Sequence, residues 1–203
     1  MPGFYVFPGG CVDPIDRQGS GFQEALAAPP AGLDRATRRR LAIFARTALR
    51  ESYEEAGLLL SSRKRISLGR PPLGDPSYGN GTGIDVWRAY RRAEALPAFE
   101  ALRLVARAIT PTSSPLRFHT RFFAADGDLA RATLAGDGEL EDVHWVQAAD
   151  LPKLKISEVT LAVLREARAH NAARGEGRPT ALFHWTGARQ KPRFRRGPDR
   201  GRA

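Results

Sequence analysis

Three carboxylates and an arginine crowd one short stretch of this chain, Arg50-Glu51-Ser52-Tyr53-Glu54-Glu55-Ala56-Gly57-Leu58. Glu51, Glu54 and Glu55 stand at i, i+3 and i+4, so on a helix they are neighbours on one face, about 5–6 Å apart at Cβ. Like charges at that spacing weaken a helix by a few tenths of a kcal/mol per pair, and the helix has no local reason to adopt them. A hard divalent cation supplies one, because Mg2+ and Mn2+ take carboxylate oxygens. The alternative is an acidic, solvated face closing a surface helix. A second stretch able to do chemistry lies upstream, Phe4-Tyr5-Val6-Phe7-Pro8-Gly9-Gly10-Cys11-Val12-Asp13. Its paired glycines let backbone carbonyls and amides approach a ligand or metal closely.

The elements that must position these groups are readable around them. Asp34 to Gly57 holds no internal Gly or Pro, with Asp34 suited to cap its start and Gly57 to stop it. Leu41, Phe44, Ala45, Ala48 and Leu49 recur at steps of three and four, which marks one buried side of a helix. Residues 4–8 are β-prone and run into Pro and two Gly, the pattern of a strand ending in a tight turn. Residues 13–34 read as loop, with a short helix at Phe22–Ala27, and Leu58–Leu60 as a short strand behind the acidic helix.

Together, Gly9, Gly10, Arg50, Glu51, Glu54, Glu55, Gly57 and Leu58 resemble the Nudix box, G-x5-E-x7-R-E-U-x-E-E-x-G-U, where U is bulky and aliphatic. Three departures stand out. Asp16 occupies the first Glu position, Ser52 the first U position, and residues 17–49 replace the seven-residue spacer. The long insertion is similar to that of peroxisomal-type coenzyme A diphosphatases and their bacterial relatives. Two further words, Ile109-Thr110-Pro111 and Arg117-Phe118-His119-Thr120-Arg121-Phe122-Phe123, extend the resemblance. His119 stands where that subgroup usually has an acidic residue.

The resemblance implies an α/β fold, an α/β/α sandwich with a curved mixed sheet, here without its N-terminal strand. A native start upstream of Met1 is expected on that ground. It implies a hydrolase that cleaves the diphosphate of a nucleoside diphosphate linked to another group, of coenzyme A type, with Mg2+ or Mn2+ as cofactor. The implied catalytic residues are Arg50, Glu51, Glu54 and Glu55. The metal set is Glu51, Glu55 and Glu54, with a backbone carbonyl of Gly9 or Gly10 and, before a strand at 143–146, Glu139. Arg117 and Arg121 share a strand face with His119 and are candidates to bind substrate phosphate, since guanidinium matches phosphate bidentately.

The Nudix domain is expected over residues 1–188, with a helical insert at about 84–104, strands at 104–111 and 117–124, and a helix from Glu158 capped by Ser157. Residues 189–203 carry seven basic side chains against Asp199 and read as a disordered basic tail. The net charge of +10 comes from 32 basic residues, of which only four are Lys. That Arg bias fits a GC-rich coding sequence as well as a polyanion partner. No specific nucleic-acid partner is expected, because aromatic and basic residues do not interleave in any recognised module. A catalytically silent Nudix-fold sensor or scaffold is the other alternative, and the intact Glu51, Glu54 and Glu55 speak against it. One cysteine, Cys11, permits no intramolecular disulfide, which suits a cytoplasmic setting. No apolar run of about 18 residues suggests a membrane span. The expected partner is a small-molecule diphosphate, with oligomerisation left open.

Overall fold

The computed structural model describes residues 3–26, 34–62, 84–110, 117–133, 140–173, 179–184 and 193–196. Among the described residues the helices are α1 (Pro14–Gln18), α2 (Arg35–Ala56), α3 (Ile84–Arg92) and α4 (Glu158–Ala172). The strands are β1 (Leu58–Leu60), β2 (Arg103–Ile109), β3 (His119–Ala124), β4 (Ala130–Thr133), β5 (Ala181–His184) and β6 (Arg193–Arg196). The principal sheet is mixed and runs β3-β2-β5-β6, with β2 and β5 parallel and the other two pairings antiparallel. A separate antiparallel pair joins β1 to β4.

Helix α2 is the longest element because both of its ends are chemically closed. Asp34 accepts from the Thr37 amide at 2.8 Å, and Gly57 adopts φ +65°, sending its amide to the Ser52 and Tyr53 carbonyls. Leu41, Ala45, Leu49 and Tyr53 are its buried stripe. Leu49 and Tyr53 meet Val86, Trp87 and Tyr90 of α3 and Leu59 of β1 in one core, and the Tyr90 hydroxyl donates to the Leu60 carbonyl at 2.8 Å. A second core lies between the sheet and α4, where Ala106, Ala108, Ala181 and Phe183 pack on Val163.

Alternation along β3 shows that the sheet is covered on both faces. Phe122 packs with the α4 core. Its neighbours point the opposite way, Phe123 onto the α2–α3 core and Arg121 over the ring of Phe44 on α2. The helix–sheet–helix layering expected from the sequence is therefore present, with a mixed sheet.

Several local expectations are corrected. Residues 4–8 form no strand: Tyr5 makes a single bridge to Ile156, and the segment is held instead by Phe7 against Phe122. Residues 143–146 form no strand either, and Val143 and Trp145 are exposed. The 13–34 stretch contains α1, which the loop reading missed, and Phe22–Leu26 is not helical. As expected, residues 35–49 of the 17–49 insertion belong to the acidic helix, which runs Arg35–Ala56 between the Asp34 and Gly57 caps. Helix in the 84–104 segment ends at Arg92, followed by one 3-10 turn at Phe99–Ala101 before β2. In the tail, Arg193–Arg196 forms β6 on the edge of β5, where backbone pairing outweighs the charge of the segment. The rest of the tail lies outside the described residues.

Candidate active site

The site starts from a helix whose charges oppose its own dipole. The first turn of α2 carries no acid, Arg38, Arg39 and Arg40 follow in the next, and the last turn carries no base but holds Glu54 and Glu55. Each such misplacement costs about 0.3–1 kcal/mol at an exposed helix end. The helix dipole therefore does not favour acids at this end.

A buried ion network holds the acidic end in shape. Asp16, at 0 % exposure, closes a capping box at the start of α1 by accepting from the Asp13 amide at 2.9 Å. The same carboxylate takes the Thr47 hydroxyl at 2.8 Å and both Nε and Nη2 of Arg50, at 3.1 and 3.0 Å. Arg50 also donates to the Cys11 carbonyl at 3.0 Å. Its Nη1 then reaches Glu54 at 2.7 Å and Glu51 at 2.8 Å. Burial by itself would lower the Arg50 pKa, but the hydrogen bonds it donates to Asp16 and Glu54 more than offset this and hold it above its usual value. Arg50 is thus a permanently charged clamp that positions carboxylates.

The glycine turn closes on this face from across 46 residues of chain. The Gly9 amide donates to Glu55 Oε2 at 2.8 Å. Gly10 lies against Glu51 so tightly that a Cβ there would stand 2.7 Å from Cδ and 2.8 Å from Oε2. A side chain at this position would force the Glu51 carboxylate to move. Glu51 and Glu55 are both buried. Burial raises the Glu51 pKa, Arg50 pulls it down, and the neighbouring Glu55 and Glu54 push it up again, with a net rise. The cluster of Asp16, Glu51, Glu54 and Glu55 carries more negative charge than Arg50 can neutralise.

These donors suit a hard cation. Among the described residues, no group of three or more His, Cys, Asp or Glu side chains is placed to hold a metal ion, so Glu51, Glu54 and Glu55 are not assembled as a three-carboxylate set. Mg2+ does not need one, since it keeps several waters and binds through one or two carboxylates plus substrate phosphates. Glu51 and Glu55, one helical turn apart, offer that pair. Glu139 lies outside the described residues.

Of the two candidate phosphate-binding arginines, Arg117 is exposed and precedes β3, apart from the site. Arg121 lies on β3, where its Nη1 donates to the His119 carbonyl at 3.0 Å. One residue of the buried network escaped the sequence reading. Asp16 was noticed only as a departure in the box, although Asp13-Pro14-Ile15-Asp16 carries a helix-start signal, with an N-cap, Pro at N1 and an acid at N3.

No family model matches the chain, and no curated protein does. Among solved structures, a NUDIX hydrolase from Alicyclobacillus acidocaldarius is similar, with 30% sequence identity and a TM-score of 0.60, covering 81% of this chain and 75% of that one. No described helix is long and apolar enough to cross a membrane.

Proposed function

The chain belongs to the Nudix hydrolases, and from that membership we propose that it is a divalent-metal-dependent diphosphatase acting on coenzyme A or an acyl-CoA. The family hydrolyses small molecules that contain a diphosphate, and this much the membership carries directly. One observation supports the catalytic reading above all others. The Gly9-Gly10 turn and the Glu51/Glu55 pair, far apart in sequence, are in contact: the Gly9 amide donates to Glu55, and a Cβ on Gly10 would collide with the Glu51 carboxylate.

Glu51 and Glu55 are the residues proposed to hold the cation, with a backbone carbonyl of Gly9 or Gly10. A Mg2+ or Mn2+ bound there would neutralise the diphosphate and acidify water. In the reaction, water oxygen bonds to one phosphorus and the bridging P–O bond breaks. The bridging oxygen leaves with the other phosphate, so coenzyme A gives adenosine 3′,5′-bisphosphate and phosphopantetheine. Glu54 serves either as acceptor of the water proton or as a further ligand through water. Arg50 orients Glu51 and Glu54, and Asp16 orients Arg50. The coenzyme A assignment is supported by the long insertion and the two sequence words around β2 and β3.

The test is phosphate-ester release from coenzyme A, NADH, ADP-ribose and a dinucleoside polyphosphate, each with Mg2+ and with Mn2+. Coenzyme A should be cleaved fastest. Glu55→Gln should lower turnover by about a hundredfold or more, the scale of losing one strong electrostatic stabiliser, while the Gln oxygen still accepts from the Gly9 amide. Wild-type turnover in that variant would remove Glu55 from the site.

A further inference from the structure

A second buried arginine of α2 stands beside the network that holds the carboxylates. Arg46 precedes Arg50 by one helical turn, so the two side chains leave the same face of the helix. Both meet Asp16, at different atoms. Arg50 takes the carboxylate, and Arg46 Nη1 donates to the backbone carbonyl. Asp16 is therefore held by its side chain and by its main chain from adjacent turns of α2.

Helix α1 shows why both holds matter. It has five residues, far below the length of about 12–15 at which isolated helices become even marginal. Its start is closed by its own capping box. Its last turn leaves backbone carbonyls without partners inside the helix, and that of Asp16 is one of them. The Ser20 amide, four residues on, would be its partner if the helix continued, but that amide donates to Glu24 at 3.1 Å. Arg46 fills the vacant place, as arginines near helix C-termini do.

Arg46 is itself fixed from outside α2. It is buried, and its Nε pairs with Glu24 at 3.0 Å. Glu24 also accepts from the buried Ser20 hydroxyl at 2.6 Å. The Ser20 carbonyl receives Arg91 of α3 at 3.3 Å, and the Arg91 guanidinium lies over the Phe22 ring. Ser20, Glu24 and Arg46 all fall within residues 17–49, the stretch that stands where a seven-residue spacer would suffice. The insertion thus brings an acid–base pair that ends on Asp16.

We propose that Arg46 and Glu24 are positioning residues, which fix α1 so that Asp16 holds Arg50, and through it Glu51 and Glu54, in the geometry that takes a divalent cation. This rests on the diphosphatase reading above and gives part of the long insertion a role in it. The contacts are continuous from Glu24 to Arg46, Asp16, Arg50 and the two carboxylates. Because Arg46 and Glu24 act through Asp16, their loss is felt in cation affinity and turnover, not in KM.

The experiment uses the full chain and two readouts. Electron paramagnetic resonance of free Mn2+ gives the Mn2+ Kd without substrate, and hydrolysis of the diphosphate panel gives kcat and KM. Arg46→Met alone leaves Glu24 without its cation, which costs stability. Arg46→Met combined with Glu24→Gln removes both charges, and this double variant should melt cooperatively. Its Mn2+ Kd should rise about tenfold and its kcat fall about tenfold, with KM within about twofold of wild type. Arg103→Gln, which loses an ion pair to Asp126 outside this chain of contacts, should leave all three unchanged. A folded double variant with wild-type Mn2+ affinity and kcat would overturn the proposal and leave the diphosphatase reading in place, as would a loss confined to KM. Weaker Mn2+ binding by the double variant, with no diphosphate hydrolysed by the wild type, would keep the proposal and remove that reading. A wild-type chain that binds no Mn2+ would overturn both.

Discussion

Replacing Gly10 with alanine should disable the site while leaving the fold in place. The added Cβ would lie 2.7 Å from Glu51 Cδ and 2.8 Å from its Oε2. Ordinary carbon–oxygen contact needs at least about 3.2 Å, so one of the two groups must retreat by about half an ångström to one ångström. Carboxylates at the end of exposed side chains move that far freely, but this one is tied. Glu51 is paired to Arg50 Nη1 at 2.8 Å, and Arg50 is fixed by both oxygens of Asp16 and by the Cys11 carbonyl. Moving the Glu51 carboxylate breaks its ion pair, and moving the turn breaks the Gly9–Glu55 hydrogen bond. Misplacing a reacting group by about 1 Å costs on the order of a hundredfold in rate. Inserting one methyl into a packed site costs about 1–3 kcal/mol of stability.

The measurement is diphosphate hydrolysis with Mg2+ or Mn2+, beside a thermal melt. Gly10→Ala should lose about two orders of magnitude in kcat while still melting cooperatively. Cys11→Ala is the control, because Cys11 is exposed and contributes only its backbone carbonyl; it should retain wild-type turnover. A Gly10→Ala protein that turns over like wild type would show that the close approach of turn and helix has no part in catalysis.

Two other outcomes follow from the buried network and from His119. Asp16→Ala leaves the Arg50 guanidinium buried without its main partner, and breaking a buried pair in this way should destabilise the fold by about 3–5 kcal/mol, read as a lower denaturation midpoint. His119 makes the stability depend on pH. Burial first, then Arg107 and Arg121, depresses its folded pKa to about 4, below the usual 6.5, so between those values the unfolded chain binds a proton that the folded chain does not. Stability should fall as the pH drops from 6.5 toward 4 and should show no His119 contribution above that window. His119→Gln keeps an acceptor for Arg107, whose Nε donates to His119 Nε2 at 3.2 Å, without titrating. Melts of the two proteins from pH 7 to 4.5 should therefore diverge in the acid range, and parallel curves would exclude His119 as the cause.

What the sequence disclosed, and what it hid, divides along one physical line. Helices α2 and α4 were legible because each carries its own caps and stripe: Asp34 and Gly57 close one, and Ser157 opens the other by accepting from the Thr160 amide. The i, i+3, i+4 carboxylates were legible for the same reason, since a helix fixes their spacing. Strands offer no such local closure. Phe4–Pro8 and Val143–Val146 have β-forming residues, yet a ladder needs a partner, and Tyr5 finds only one bridge. These two segments meet through side chains instead, the Tyr5 hydroxyl on Asp142 at 2.9 Å and its ring edge-on to His144.

The same distinction explains the residue that sequence reasoning undervalued. Asp16 and Arg50 are 34 positions apart, so no periodicity links them. Only the folding of α1 onto α2 makes one the counter-ion of the other. Arg107 and Arg121 face each other in the β2–β3 register, and a shift of one residue would send either side chain to the opposite face. Local pattern thus marks where the carboxylates stand. Their orientation, through Asp16 and Arg50, depends on contacts between elements, and those contacts are where substitutions should separate activity from folding.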